Sequence, residues 1–310
     1  MENTNRASYN AALSLPTRKF IEMPHSTEIL NELGYILGRA NAGEPTGLVI
    51  SGVTGTGKSS ILSHFKASWD ADLEKGECSP IALIKTPSKP SDKMLLENEL
   101  TALGDPSPRS GDLSSKRDRR DALIKTTNIK VLIYDDFQHI VEHRGEKVAR
   151  QLLDELKNLS EQFGISLVFA GVNTVEQVGV INEQIDSRFS SLKRVRVMSI
   201  ENDNEFYYFQ SFIKSMAITK GITDVDLTKD NYIYRFYYAI KGDLRILNNL
   251  INKALYIFKL SKNTKLQLNH FETAFNDINS KTWENENDKR VNPFDPKKLS
   301  TVKKQLGIKA

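Results

Sequence analysis

Eight consecutive residues carry most of the chemistry legible in this chain. Gly52-Val53-Thr54-Gly55-Thr56-Gly57-Lys58-Ser59 matches G-x-x-x-x-G-K-[ST], in which glycines let backbone N–H groups turn toward a polyphosphate. The apolar run Gly47–Ile50 before it reads as a strand, and Ser60-Ile-Leu-Ser-His-Phe65 after it reads as the start of a helix. The loop therefore ends on a helix N-terminus, whose dipole favours an anion. Lys58 can reach the β- and γ-phosphates as a point charge, and Ser59 can place its hydroxyl on Mg²⁺. The stretch from Gly52 to Ser60 is accordingly the candidate ATP site. The bland alternative is a Gly-rich turn that happens to contain Lys-Ser, and the strand-before, helix-after context argues against it.

A second constellation lies about 80 residues on. Val131-Leu-Ile-Tyr134 followed by Asp135-Asp136 resembles the Walker B motif, in which a buried strand lifts a carboxylate to the edge of a sheet. Asp135 is the candidate metal-positioning residue together with Ser59. The next residue polarises the attacking water, and in the large ring-forming ATPases it is usually glutamate. Here it is Asp136, one methylene shorter. Reach decides general-base geometry, so this departure predicts slow hydrolysis.

Three other patterns are weighed and set aside. His139-Ile-Val-Glu142-His143 fits H-x-x-E-H, but the run begins four residues past a strand end, where a loop is expected, and zinc catalysis needs both histidines on one helical face plus a third ligand. Phe206, Tyr207, Tyr208, Phe209 and Phe212 could stack bases, although core packing of a helix explains them better. Asn292-Pro-Phe294 reads as a short docking motif for a partner.

The elements that must position these residues follow from periodicity. Strands are expected at 47–51, 81–85, 129–135, 165–170 and 194–198, alternating with helices near 27–42, 58–73, 91–103, 114–126 and 144–163. That alternation predicts an α/β fold, a three-layer sandwich around a parallel sheet. After residue 200 the strand signals stop, and helices are expected near 202–219, 229–240, 243–260 and 268–280. The expected organisation is an arm at 1–25, an α/β nucleotide-binding domain at 26–199, a helical lid at 200–282 and a flexible basic tail at 283–310. The 310 residues are 39% hydrophobic and 26% charged, an ordinary globular composition with a net charge of +4. One cysteine excludes an internal disulfide and a cysteine-based zinc site, which points to a reducing, cytoplasmic setting. No apolar run approaches the length of a membrane span, and the N-terminus lacks a signal pattern.

Taken together, these residues resemble the AAA+ ATPases, and within them the TnsC/TniB family of transposition regulators. The resemblance covers roughly residues 15–280 and rests on Gly52–Ser59, Tyr134-Asp-Asp-Phe-Gln-His139, Ala170-Gly-Val-Asn173, Asp186-Ser-Arg-Phe189 and Gly242-Asp-Leu-Arg-Ile-Leu247. It implies a P-loop (AAA+) sandwich with a C-terminal helical lid. It also implies further roles. Asn173 matches the sensor-1 polar residue that orients water, although many relatives carry Thr one place earlier, where this chain has Val172. Arg188 matches the arginine finger that reaches the γ-phosphate of a neighbouring subunit. Arg245 matches the sensor-2 arginine that couples the lid to the nucleotide. The family further implies an ATP-dependent ring or helical homo-oligomer on double-stranded DNA, linking a target-selector protein of the TniQ type to a transposase. In AAA+ rings the stretch after the second strand lines the central channel. Lys89, Lys93, Lys116, Arg117, Arg119 and Arg120 are therefore the candidate contacts for sequence-independent DNA binding. The competing expectations are a replication-initiator or helicase-loader-like ATPase, a non-hydrolysing ATP-switched scaffold, and a small-molecule kinase.

Overall fold

The computed structural model describes residues 19–143, 145–181, 191–279 and 291–308. The described chain divides into two compact units, one at 24–196 and one formed from the described parts of 1–23 and 197–310.

The first unit is built on five parallel strands: β1 Gly47–Ser51, β2 Ile81–Lys85, β3 Val131–Asp135, β4 Ser166–Gly171 and β5 Ser191–Arg194. Their order across the sheet is β2-β3-β4-β1-β5. Every residue of β1, β3 and β4 is buried, as expected of inner strands covered on both faces. Edge strand β5 instead alternates half-buried and exposed. It lies earlier than the expected 194–198, because Leu48 to Ser51 pair with Ser191 to Arg194.

Around the sheet run α1 Pro24–Asn41, α2 Lys58–Ala71, α3 Asp92–Ala102, α4 Leu113–Thr126, α5 Gln138–His143, α6 Glu146–Phe163 and α7 Gln177–Ile181. Helix α6 buries Ala149, Leu152, Leu153, Leu156 and Leu159 at helical spacing, each leucine contributing about 1.5–3 kcal/mol. Phe137 stacks on Phe169 of β4 with ring centroids 4.2 Å apart, which locks the chain just after β3 onto the neighbouring strand.

The strand order decides where function can sit. β4 lies between β3 and β1, so the carboxyl ends of β1, β3 and β4 are side by side. In open α/β sheets that edge is where ligands bind.

The second unit is helical: α8 Asp203–Thr219, α9 Asp230–Ile240, α10 Leu244–Leu260, α11 Leu268–Asn279 and α12 Leu299–Gln305, with a 3₁₀ turn at Pro296–Lys298. Phe209 and Phe212 point into its core, so that part of the aromatic run packs the helix, while Tyr207 and Tyr208 are exposed. The expected flexible tail is not what the described part of it forms. Phe294 is 0% exposed, with its ring 5.5 Å from that of Phe236 and 5.6 Å from that of Phe271. The Arg235 guanidinium donates to the carbonyls of Pro293 and Asp295. Tyr238 donates to Gln305 Oε1 at 2.5 Å. Asn292-Pro-Phe294 is thus a docking motif already seated on its own chain. The sequence reading missed this because 283–290 is polar and the anchoring ring is a single residue.

Candidate nucleotide site

The turn from β1 into α2 sets the site. Gly57 is the N-cap of α2 with φ of 98°, a left-handed conformation that costs other residues about 1–2 kcal/mol. Ser60 and Ile61 N–H both bond Gly57 O, at 2.9 and 3.0 Å, so the ladder of α2 starts there. The N–H groups that precede a helix's first internal bonds have no partner within the helix, and here they belong to the loop's own residues. Lys58 is buried, and its ammonium donates to Gly52 O at 2.6 Å and to Val53 O at 3.0 Å. Those carbonyls aim the charge into the cradle of the loop. Thr56 Oγ1 donates to Val53 O at 2.9 Å and braces the loop from inside.

Asp135 ends β3 and is 8% exposed. Burial and the neighbouring Asp136 push its carboxyl above the ordinary value, against a hydrogen bond from Ser59, the Asp136 N–H and the charge of Lys58. The carboxylate accepts a hydrogen bond from the hydroxyl of Ser59. A hydroxyl and a carboxylate in contact, in a desolvated setting, are the hard oxygen donors that suit Mg²⁺. The residues fit the ion.

Asp136 adopts φ of 57°, a left-handed turn that Asp tolerates better than most residues. Its N–H donates to Asp135 Oδ1 at 3.0 Å. Gln138, a buried residue to which the sequence reading gave no role, approaches Asp136 Oδ1 with Nε2 at 3.5 Å and accepts the Val172 N–H on Oε1 at 3.3 Å. A Cβ on Gly171 would come within 2.4 Å of Gln138 Oε1, so the bare glycine makes room for this bridge. The amide thereby ties the turn after β3 to the segment after β4.

Asn173 opens a 3₁₀ turn, Asn173–Glu176, directly after β4. Its Oδ1 accepts the Ser51 hydroxyl at 3.4 Å, and Ser51 is the last residue before the phosphate loop. Lys58, Ser59, Asp135, Asp136 and Asn173 are thus gathered at one sheet edge. Arg245 pairs with Asp243, the N-cap of α10, at 3.1 Å and is 57% exposed. Arg188 lies outside the described residues.

The six basic candidates for DNA separate into two groups. Lys89 and Lys93 are exposed, flanking the N-cap Ser91 of α3, and carry no ion pair among the described residues. The four on α4 are committed internally. Lys116 is 0% exposed and bonds Pro108 O, Ser110 O and Glu97. Arg117 grips Glu155 with two bonds of 3.0 and 3.2 Å. Arg119 holds Asp105 at 2.8 Å. Arg120 joins Glu99, Asp121 and Glu155, and Tyr134 of β3 donates to the same Glu99. Lys116 and Arg120 are therefore structural rather than surface charges. Neither spacing nor composition reveals partners that lie up to 38 residues away.

A five-stranded parallel sheet in this order, with a phosphate loop after β1 and acids after β3, defines a P-loop protein of the AAA+ fold. The chain belongs to the bacterial TniB protein family, whose model matches residues 12–198. Among proteins with curated descriptions none matches by sequence. Solved structures match in fold. The ORC1 protein of Aeropyrum pernix in complex with DNA has a TM-score of 0.62 and 16% identity, over 83% of this chain and 66% of that one. Cdc6p from Pyrobaculum aerophilum gives 0.61 and 13%, over 86% and 70%. Drosophila ORC bound to DNA gives 0.57 and 14%, over 96% and 76%. The chain thus spans about two thirds of the archaeal proteins it resembles. No helix among the described residues is long and apolar enough to cross a membrane.

Proposed function

We propose that this protein is an ATP-hydrolysing regulator of DNA transposition that assembles on double-stranded target DNA and connects a TniQ-type target selector to the transposase. The observation that carries the reading is the contact between the Ser59 hydroxyl and the buried Asp135 carboxylate with Lys58 beside them. A phosphate loop and a desolvated acid brought together in this way serve polyphosphate chemistry. TniB family membership supplies the transposition context. The fold neighbours include proteins solved on DNA, which agrees with the reading.

In the proposed reaction Lys58 exchanges the carbonyls of Gly52 and Val53 for phosphate oxygens. The loop N–H groups and the start of α2 hold the β-phosphate. Ser59 and Asp135 would hold Mg²⁺, which would supply charge neutralisation at the phosphate oxygens. Asp136 accepts the proton of the attacking water, and Asn173 orients that water. Gln138 fixes the angle of Asp136. Arg188 of a neighbouring subunit completes the charge stabilisation, so hydrolysis follows assembly, and Arg245 reports the nucleotide state to the helical unit. Lys89 and Lys93 contact phosphates of the duplex without reading bases.

A second reading is favoured by one observation. Asp136 is shorter than glutamate and sits in a left-handed turn, which suits an ATP-switched scaffold with almost no turnover. Single-turnover hydrolysis with and without DNA separates the two: DNA-stimulated turnover supports the enzyme, and none supports the scaffold. The decisive experiment for both is Lys58→Ala. Electron microscopy with ATP and plain duplex should show rings or filaments for the native chain and none for the variant. Complexes that form equally well in the variant, or without nucleotide, would refute the proposal.

A further inference from the structure

The H-x-x-E-H run does not lie in a loop. It occupies α5, Gln138–His143, where a spacing of four puts His139 and His143 on one helical face and Glu142 beside them. The two imidazoles stack with centroids 5.7 Å apart and 22° between planes. One ligand atom from each of His139, Glu142 and His143 can be chosen so that all three lie within 4.8 Å of one another. Ligands at tetrahedral positions around zinc are about 3.3 Å apart, so small rotamer changes of the two exposed side chains close the remaining gap.

Two further observations point to a ligand. His139 Nδ1 is sealed from solvent and has no hydrogen-bond partner among the described residues. A buried ring nitrogen left this way is destabilising, and a coordinated cation or a relay to one would remove that cost. Glu142 Oε1 accepts the Thr174 hydroxyl at 2.7 Å, an outer contact of the kind that orients a metal-binding carboxylate. Among the described residues no lysine or arginine pairs with Glu142.

We propose that His139, Glu142 and His143 form a binding site for a first-row divalent transition metal, zinc foremost. Imidazole and carboxylate together select such ions over Mg²⁺, which prefers oxygen alone. Three protein ligands leave a coordination position for water. The site adjoins Gln138, and Thr174 follows Asn173, so its occupancy stiffens the segment between Asp136 and the sensor residue.

The test uses the full chain stripped with chelator, carrying Cys78→Ser so that the exposed thiol cannot contribute. Zinc titration by calorimetry should give one site per chain, and cobalt(II) should develop ligand-field absorption. Affinity should fall about tenfold or more in His139→Ala and in His143→Ala, and measurably in Thr174→Val. His143 and Glu142 are exposed, so His143→Ala and Glu142→Gln fold even where His139→Ala does not. Retention of full zinc affinity in both His143→Ala and Glu142→Gln overturns the proposal, as does failure of the parent protein to bind zinc.

Discussion

At the scale of single residues, the phosphate loop was legible because its chemistry is local: glycines, lysine and serine at fixed offsets act through their own backbone. Gln138 was not, because its role exists only once β3 and β4 are neighbours. That role makes a paired prediction. Gln138→Ala removes the amide that approaches Asp136, and hydrolysis should drop about tenfold or more while ATP affinity stays unchanged, as expected of a group that positions a base. Gly171→Ala should do the same with Gln138 kept in the sequence, because the new methyl displaces its Oε1. Single-turnover kinetics beside nucleotide titration checks both. A loss of ATP affinity equal to the loss of rate would assign Gln138 to loop stability instead.

At the scale of elements, helix α4 shows why a charge run misleads. Its four cations read as a channel lining, but the fold buries Lys116 and Arg120 and ties all four to carboxylates, among them Glu97 and Glu99 on α3, Glu155 on α6 and Asp105 in the loop at 105–111. Burial would raise the Glu155 carboxyl, but the bond from Arg117 and the charge of Arg120 outweigh it and hold it below the usual value of 4.5. A depressed carboxyl contributes stability that is present above its unfolded value and lost as pH falls through its folded one. The first unit should therefore lose stability as pH drops below about 4.5. Glu155→Gln should be about 2 kcal/mol less stable at neutral pH and show a flatter acid limb in thermal melts. DNA binding separates along the same line. Lys89→Ala and Lys93→Ala should each lower the slope of log affinity against log salt by about 1, with the melting temperature kept. Lys116→Ala should act chiefly on the melting temperature, since it strands Glu97 and two carbonyls. An unchanged salt slope in the double Lys89→Ala, Lys93→Ala variant would remove α3 from the DNA interface.

At the scale of the whole molecule, the alternation of strands and helices, and its end near residue 200, were readable because buried parallel strands are continuous apolar runs and lid helices are amphipathic. The last segment was not readable. Composition marks 283–310 as polar and basic, and composition averages away the one side chain that matters. Phe294 sits among Phe236, Phe271 and Phe275, with ring centroids 5.4 to 6.0 Å apart across the cluster. Arg235 then spends its guanidinium on the carbonyls on either side of that ring. A flexible tail could be cut away at no cost, whereas a docked one holds up the unit it docks on. Phe294→Ala should destabilise the helical unit by about 3–5 kcal/mol, the usual range for emptying a buried aromatic site. Removal of 291–310 should do at least as much, because the Arg235 contacts go with it. The α/β unit keeps its own core, so its transition should stay in place in both variants while the transition assigned to the helical unit moves down in calorimetry. A melting profile identical to that of the intact chain would show that the segment rests on the lid without supporting it.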